Sequence, residues 1–421
     1  MMMRHRKFVP VAVAVTGALL LAACGQGGPD AAADGGLSDD KVVIGVLNDQ
    51  SGAYTDVSGP KSVEAVKMAV ADYQKKYGDE AVATQIEVIS ADHQLKPEIA
   101  NTKAQEMYDR QQADIILDVP QSAAALAVAT QAEAQKKLFF VIGGGTTELT
   151  GAQCNKYTFA WAYDNYMLAK GTGTAVTEQG DKKWAIIYPD YAFGQDITKT
   201  FTEVIEESGG TVTEAIPTPF PSDNFATVLT KAAAGSPDVI GAMQAGGELI
   251  NLVKQYNQAG LRDQGINLAV GLMFLTDIQS LGVEQFAGTT FTDPWYWNFD
   301  KENREWADRF KEKTDTRPTS LHAGNYSAAL QYLEAIQRAG TDNSDKVVGE
   351  LEGAQIDDVF LRNGTVRAQD HRVIHDVYLA KVKDAAAVSE DWDYEEILTT
   401  IPAEEAFRSV EESAAAGCQL G

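Results

Sequence analysis

Three short segments hold the residues best suited to grip a small ligand. They are Tyr54, at the end of Asn48-Asp49-Gln50-Ser51-Gly52-Ala53-Tyr54; Ser122 with Ala123, after Pro120-Gln121; and Thr146 with Thr147, after the glycines Gly143 to Gly145. Hydroxyls and free backbone N–H groups at the start of a helix carry partial positive charge, so the chemistry they offer is the holding of an anion. The plain alternative for each segment is turn and capping chemistry, with Ser122 as an N-cap and the glycines as tight-turn residues. Three such segments in one half of the chain raise ligand binding above that alternative. The patterns of catalysis are missing. The glycine run is not followed by Gly-Lys-Ser/Thr, and no Gly-x-Ser-x-Gly elbow occurs. His371 and His375 stand four apart, a spacing that on a helix could offer two imidazoles to one metal. Residues 373–382 read as a strand, however, and no His-Glu-x-x-His accompanies them, so both read as surface histidines. Neither a metal nor a cofactor is expected, and the chain reads as a binder rather than an enzyme.

The elements that must position these segments alternate. Residues 41–47 form a short β-branched run of the kind that fills a strand buried on both faces. Helical spacing follows over 57–77, then strand 85–90, helix 97–110, strand 113–119, helix 122–136 and strand 138–142. The rhythm resumes with strand 184–188, helix 193–208, strand 211–216, helix 224–234, strand 238–243, helix 247–258 and strand 267–271. Alternating βα units specify parallel sheets with helices on both faces, and so many strands suit two sheets better than one. In such folds the carboxyl ends of strands are where ligands bind, and all three segments fall there.

Composition narrows the partners. With 60 acidic against 35 basic side chains in 421 residues, a net charge of −25 excludes a general nucleic-acid binder and a basic lipid-docking face. A 44% apolar content with 9% aromatics supports large cores despite that charge. At the amino terminus, Arg4, Arg6 and Lys7 precede an apolar run over 8–23, which has the layout of an export signal rather than a membrane span. Leu21-Ala22-Ala23-Cys24 resembles the lipobox of bacterial lipoproteins, which implies cleavage after residue 23, lipid on Cys24 and a flexible tether over 24–37. Cys154 and Cys418 then remain as a pair in an oxidising compartment, where a disulfide is the economical expectation and two buried free thiols the alternative.

The segments VVIGVLNDQSGAYTDVSGP, SADHQLKP, DVPQSAAALAVATQAEAQKKLFFVIGGGTTELTG and WAIIYPDYAFGQ occur in this order. With GSPDVIGAMQAGGELINLVKQYNQAGL and TRPTSLHAGNYSAALQYLEAIQRAG after them, the chain resembles the type I periplasmic solute-binding family, in the branch that serves branched-chain amino-acid ABC importers. The resemblance runs from residue 41 nearly to the end. It implies an α/β fold of two lobes, each a parallel sheet flanked by helices, joined by three crossovers and closing on a ligand by hinge motion. Residues 38–161 and 293–372 then belong to the N-terminal lobe, and 162–292 and 373–421 to the C-terminal lobe. The implied partners are a small-molecule ligand and the permease and ATPase subunits of a transporter, with the membrane met only through the lipid anchor and the protein monomeric.

The resemblance also implies a pocket. Tyr54 supplies one apolar wall, and Ser122, Ala123, Thr146 and Thr147 offer hydroxyls and N–H groups to a ligand carboxylate. Phe193 stands where the family has a tyrosine before a glycine, so a phenolic contact there must come from Tyr191. Gly246 opens a helix from the other lobe, Phe274 follows strand 267–271, and Trp295 with Trp297 occupy the crossover whose aromatic residue covers the ligand. Amino-acid binders of the family carry an acidic side chain just after the strand matching 267–271; here the residues are Leu272-Met273-Phe274-Leu275, with Asp277 the nearest substitute. A buried ammonium without a carboxylate is costly, so a flat ligand with one carboxylate, such as an aromatic acid, fits better than a zwitterion. An amino-acid or amide binder, or a sensor that presents its closed form to a membrane receptor, stays open as an alternative.

Overall fold

The computed structural model describes residues 36–420, so the export signal, Cys24 and most of the tether lie outside the described residues. Strands β1 (Val42–Asn48), β2 (Ile86–Asp92), β3 (Ile115–Asp118), β4 (Leu138–Val141) and β5 (Thr158–Ala160) form a parallel sheet in the order β2-β1-β3-β4-β5. Each connecting helix presents small or apolar residues to the sheet, and β1 is buried along its whole length, as its unbroken apolar run requires. Strands β6 (Lys183–Pro189), β7 (Thr211–Thr218), β8 (Val239–Ala242) and β9 (Asn267–Val270) form a second parallel sheet, ordered β7-β6-β8-β9. In both sheets the winding reverses beside the first strand, between β1 and β3 and between β6 and β8. The loops there diverge and leave a crevice at the strands' carboxyl ends.

The chain then leaves the second sheet through β10 (Thr290–Asp293) and returns to the first. Helix Ser320–Ala339 packs along helix Gly59–Tyr77. Thr319 Oγ1 donates to Val57 O (2.7 Å), and His322 Nε2 lies 2.8 Å from Ser58 O. After β11 (Gln355–Ile356), β12 (Gly364–Val366) and β13 (Val373–Ile374) make a small antiparallel sheet, β14 (Val377–Val382) pairs with β10, and β15 (Glu395–Ile401) pairs with β14. Cys154 and Cys418 are joined in a disulfide, which binds the end of the chain to the loop before β5. Among the described residues no helix is long and apolar enough to cross a membrane.

One expectation is corrected. His371 and His375 are not at the surface; they are 1% and 0% exposed. His371 stacks on Phe159 with ring centroids 4.0 Å apart, and its Nε2 meets Glu352 Oε1 at 3.0 Å. His375 sits between the carbonyls of Ala162 and Asp376, each 2.9 Å away. The strand over 373–382 is broken at His375-Asp376, so its alternation of residues carried no information about which side chains face outward.

Buried titratable groups give the fold a pH dependence. Burial pushes Glu248 up to about 8 and Asp277 up to about 7, while it holds His93 and His375 down to about 4 and His322 to about 3. Between pH 4 and 8 the unfolded chain has released the carboxyl protons that the folded chain keeps, so these two groups reduce stability as pH rises. The histidines act in the opposite direction and only below about pH 6.5, where the unfolded chain takes up protons that the folded chain refuses. Burial also pushes Asp293 up to about 7 and raises Glu395, so above pH 6.5, where the histidines no longer contribute, stability should fall as pH rises to 8. Thermal unfolding at these pH values checks this; a higher Tm at pH 8 than at pH 6.5 would contradict it.

Candidate functional site

The two crevices face each other across one cavity. On the first side, Asp49 shapes the loop after β1: its carboxylate accepts the N–H of Gly52 (2.8 Å) and of Tyr54 (2.9 Å), which aims the buried Tyr54 ring inward. At the end of β3, Asp118 and Val119 take φ of +88° and +55°, a conformation rarely adopted by side-chain-bearing residues. It is held by the buried Asp118 carboxylate, which accepts from Ser58 Oγ and from Asn48 Nδ2 (3.1 Å). This turn delivers Pro120 to the cavity wall. Gly143, after β4, lies against it so closely that a Cβ there would meet Pro120 Cβ at 2.6 Å.

On the second side, Tyr191 and Phe193 follow β6, Ala245 follows β8, and Leu272 with Phe274 follow β9. Asp277 Oδ2 accepts the N–H of Phe274 (2.9 Å) and fixes the start of helix Leu275–Leu281. Val57, Tyr163 and Leu321 complete the wall, and Tyr163 donates its phenolic O–H to Gly143 O (2.8 Å). The cavity between them is nearly filled by its own walls, with about 10 Å³ left for a water-sized probe, so the walls must part to admit a solute. Among the described residues no charged side chain lines the cavity. Burial raises the pKa of the Tyr54, Tyr163 and Tyr191 phenols well above the ordinary value, so all three stay neutral.

The two sides touch. Tyr54 Oη and Tyr191 Oη are 2.8 Å apart, and Gly247 N–H donates to Ala53 O (3.1 Å). Asp196, on helix Ala192–Glu207, accepts from Thr147 N (2.9 Å), Thr147 Oγ1 (2.6 Å) and Asn165 Nδ2 (2.6 Å). These contacts describe a closed cleft.

The structure brings Tyr54, Tyr191 and Phe274 together in the wall, and the phenol of the 191–194 loop is that of Tyr191. Ser122 and Ala123 form the first turn of helix Ser122–Gln135, directly behind Pro120. Gln121 Oε1 takes the N–H of Ala124, which leaves those of Ser122 and Ala123 without an intrahelical acceptor, and Ser122 Oγ is buried without a hydrogen-bond partner among the described residues. Thr146 is buried and accepts weakly from Glu148 N (3.4 Å), whereas both donors of Thr147 go to Asp196. Gly246 sits at the contact between the sides, where a Cβ would lie 2.5 Å from Ala53 O.

Trp295 and Trp297 are not among the lining residues. Trp295 Nε1 donates to Val359 O (2.7 Å) and its ring meets Trp306 edge-on. Trp297 Nε1 donates to Trp392 O (2.9 Å), and the Arg317 guanidinium lies 3.9 Å from its ring centroid. Both tryptophans thus hold the crossover against the returning chain. Of the wall residues not singled out from sequence, Pro120 and Gly143 lie inside the recognised loops. Tyr163 and Leu321 carry no local signal, because each arrives from an element distant in sequence.

The chain has clear relatives. The sequence profile described as periplasmic binding protein matches residues 41–387. A solved periplasmic binding protein from Burkholderia mallei is 40% identical, with a TM-score of 0.86 over 91% of this chain and 99% of that one. A branched-chain amino acid ABC transporter periplasmic ligand-binding protein from Burkholderia xenovorans is 32% identical, with a TM-score of 0.80 over 90% of this chain and 100% of its own. A solute-binding protein of an ABC transporter from Rhodopseudomonas palustris, solved in complex with 3,4-dihydroxybenzoic acid, is 22% identical and shares the fold, with a TM-score of 0.76 over 86% of this chain and 98% of that one.

Proposed function

The chain belongs to the periplasmic binding protein family, and from that premise we propose that it is a lipid-anchored solute-binding protein of an ABC importer that captures a small aromatic carboxylate. The observation that carries the ligand class is the cavity wall. Tyr54, Tyr163, Tyr191, Phe193 and Phe274 offer aromatic faces, and no wall residue is charged. An α-amino acid would bury its ammonium there without a carboxylate partner, at a cost of several kcal/mol. Asp277, the nearest acid in sequence to the strand's end, is committed to the N–H of Phe274. A single carboxylate is better served: it can meet the free N–H groups of Ser122 and Ala123 and the Ser122 hydroxyl, at the positive end of a helix of 14 residues. The relative solved with 3,4-dihydroxybenzoic acid is in keeping with this choice; the one described as the ligand-binding protein of a branched-chain amino acid ABC transporter is the competing precedent.

In this proposal the two lobes, residues 38–161 with 293–372 and residues 162–292 with 373–421, rotate about the crossovers. The ligand favours the closed form because both lobes touch it. The permease then receives the closed protein, held near the membrane by lipid on Cys24. A thermal-shift panel tests the ligand class, since a ligand that binds only the folded state raises Tm, by about 2.7 kcal/mol of stabilisation at a hundredfold excess over Kd. Benzoate or a ring-substituted benzoate should raise Tm and leucine should not. Stabilisation by leucine and by no simple acid would overturn the assignment.

A further inference from the structure

One carboxylate joins the two sides of the cleft from outside the cavity. Asp196 lies on helix Ala192–Glu207, one turn beyond the wall residue Phe193. Its Oδ1 accepts from Thr147 Oγ1 (2.6 Å), and its Oδ2 accepts from Thr147 N (2.9 Å) and from Asn165 Nδ2 (2.6 Å). Thr147 is buried in the loop after β4, the loop that carries the wall residue Gly143. Asn165 ties the same two elements again: its N–H donates to Gly145 O (2.8 Å) in that loop, while its Nδ2 meets Asp196. Among the described residues, those that line the cavity do not include Thr147, Asn165 or Asp196.

The bonds to Thr147 run from the helix after β6 to the loop after β4, one element from each parallel sheet, so they exist only while the two sides are together. Hydrogen bonds to an ionised group are about twice as strong as neutral ones, and two of them reach one residue here. They fix the distance between the helix of Phe193 and the loop of Gly143, which is the width of the cavity. We propose that Asp196 and Thr147 form a latch, with Asp196 a positioning residue that sets how long the cleft stays closed on its solute without touching the solute. This rests on capture by closure, as proposed above, and not on the class of ligand. A latch that forms after the solute has entered leaves association unchanged and slows release. It favours the closed state alike for every solute that fits, so it sets affinity and leaves selectivity to the wall.

Calorimetry and the release rate of radiolabelled benzoate, 4-hydroxybenzoate and leucine from the full chain test the latch. Asp196→Ala should raise Kd about tenfold, as the loss of a charge-assisted hydrogen bond does, by faster release at an unchanged association rate. The factor should be the same for every solute that the wild type binds, and Asp196→Asn, which keeps an acceptor for Thr147, should lose less. Thr147→Val should also speed release, and combined with Asp196→Ala it should add nothing further. An unchanged Kd in a folded Asp196→Ala protein, a loss that falls on association, or additive effects in the double variant would overturn the latch. If leucine alone binds, the aromatic-acid proposal fails and the same ratios on leucine decide the latch; binding of none of the three overturns both. Thr147→Val keeps the shape of the side chain and decides if Asp196→Ala fails to fold, since wild-type release from it would contradict the latch.

Discussion

Replacing Gly246 by alanine is expected to weaken ligand capture about a hundredfold while the chain still folds. The residue has φ of +55°, in the left-handed region, and its α-carbon faces the loop of Ala53 and Tyr54. A Cβ would lie 2.5 Å from Ala53 O and 3.1 Å from Tyr54 Cδ1. Ala53 is held there by the hydrogen bond from Gly247, so neither it nor the buried Tyr54 ring can retreat without reopening the cleft. The backbone strain is present whether the cleft is open or closed, but the clash exists only when it is closed. An overpacking cost of about 3 kcal/mol on the closed state alone corresponds to roughly a hundredfold in Kd. Calorimetry reads the affinity and circular dichroism the fold; wild-type affinity in a folded Gly246→Ala protein would show that the cleft does not close through this contact.

Removing the disulfide should have the largest effect on stability. Cys154 and Cys418 are 264 residues apart in sequence, and cross-linking ends so distant confines the unfolded chain by about 5 kcal/mol in the chain-entropy account. The last helix, Val410–Ala415, and the residues after it also pack on the 151–154 loop, since a Cβ on Gly417 would come within 3.2 Å of Ala152. Cys154→Ser with Cys418→Ser should lower Tm by about 5–10 °C, by the scaling of stability with Tm for a chain of this size. Ligand affinity should change little, because the wall residues all precede residue 322. Calorimetric melting of the double variant checks both parts; an unchanged Tm would mean that the bridge constrains nothing that packing does not already fix.

Much of the fold was legible because each sheet is made of local βα units. The run over 41–47 and the helical spacing over 57–77 became β1 and helix Gly59–Tyr77 with shifts of a residue or two, since burial on both faces leaves apolar pattern and structure little room to differ. The loops that bear Tyr54, Tyr191 and Phe274 were legible for the same reason: they follow from where strands end. What the sequence hid depends on contacts between distant segments. Trp295 and Trp297 look like a lid in sequence, yet Val359 and Trp392 claim their indole N–H groups. Thr147 looks like a ligand hydroxyl, yet Asp196 from the other side takes it. Tyr163 reaches the wall only because its phenol finds Gly143 O, and Leu321 only because its helix returns from the second sheet. No local pattern announces a partner 20 or 200 residues away.

The account turns on which solute the closed cleft holds. Equilibrium dialysis of the purified protein against an equimolar mixture of 4-hydroxybenzoate, benzoate and leucine, followed by mass spectrometry of the solute released on denaturation, tests this most directly. An aromatic acid retained at about one per chain, with leucine absent, is the result that a wall of aromatic rings without a charge predicts. Leucine retained in its place would contradict it.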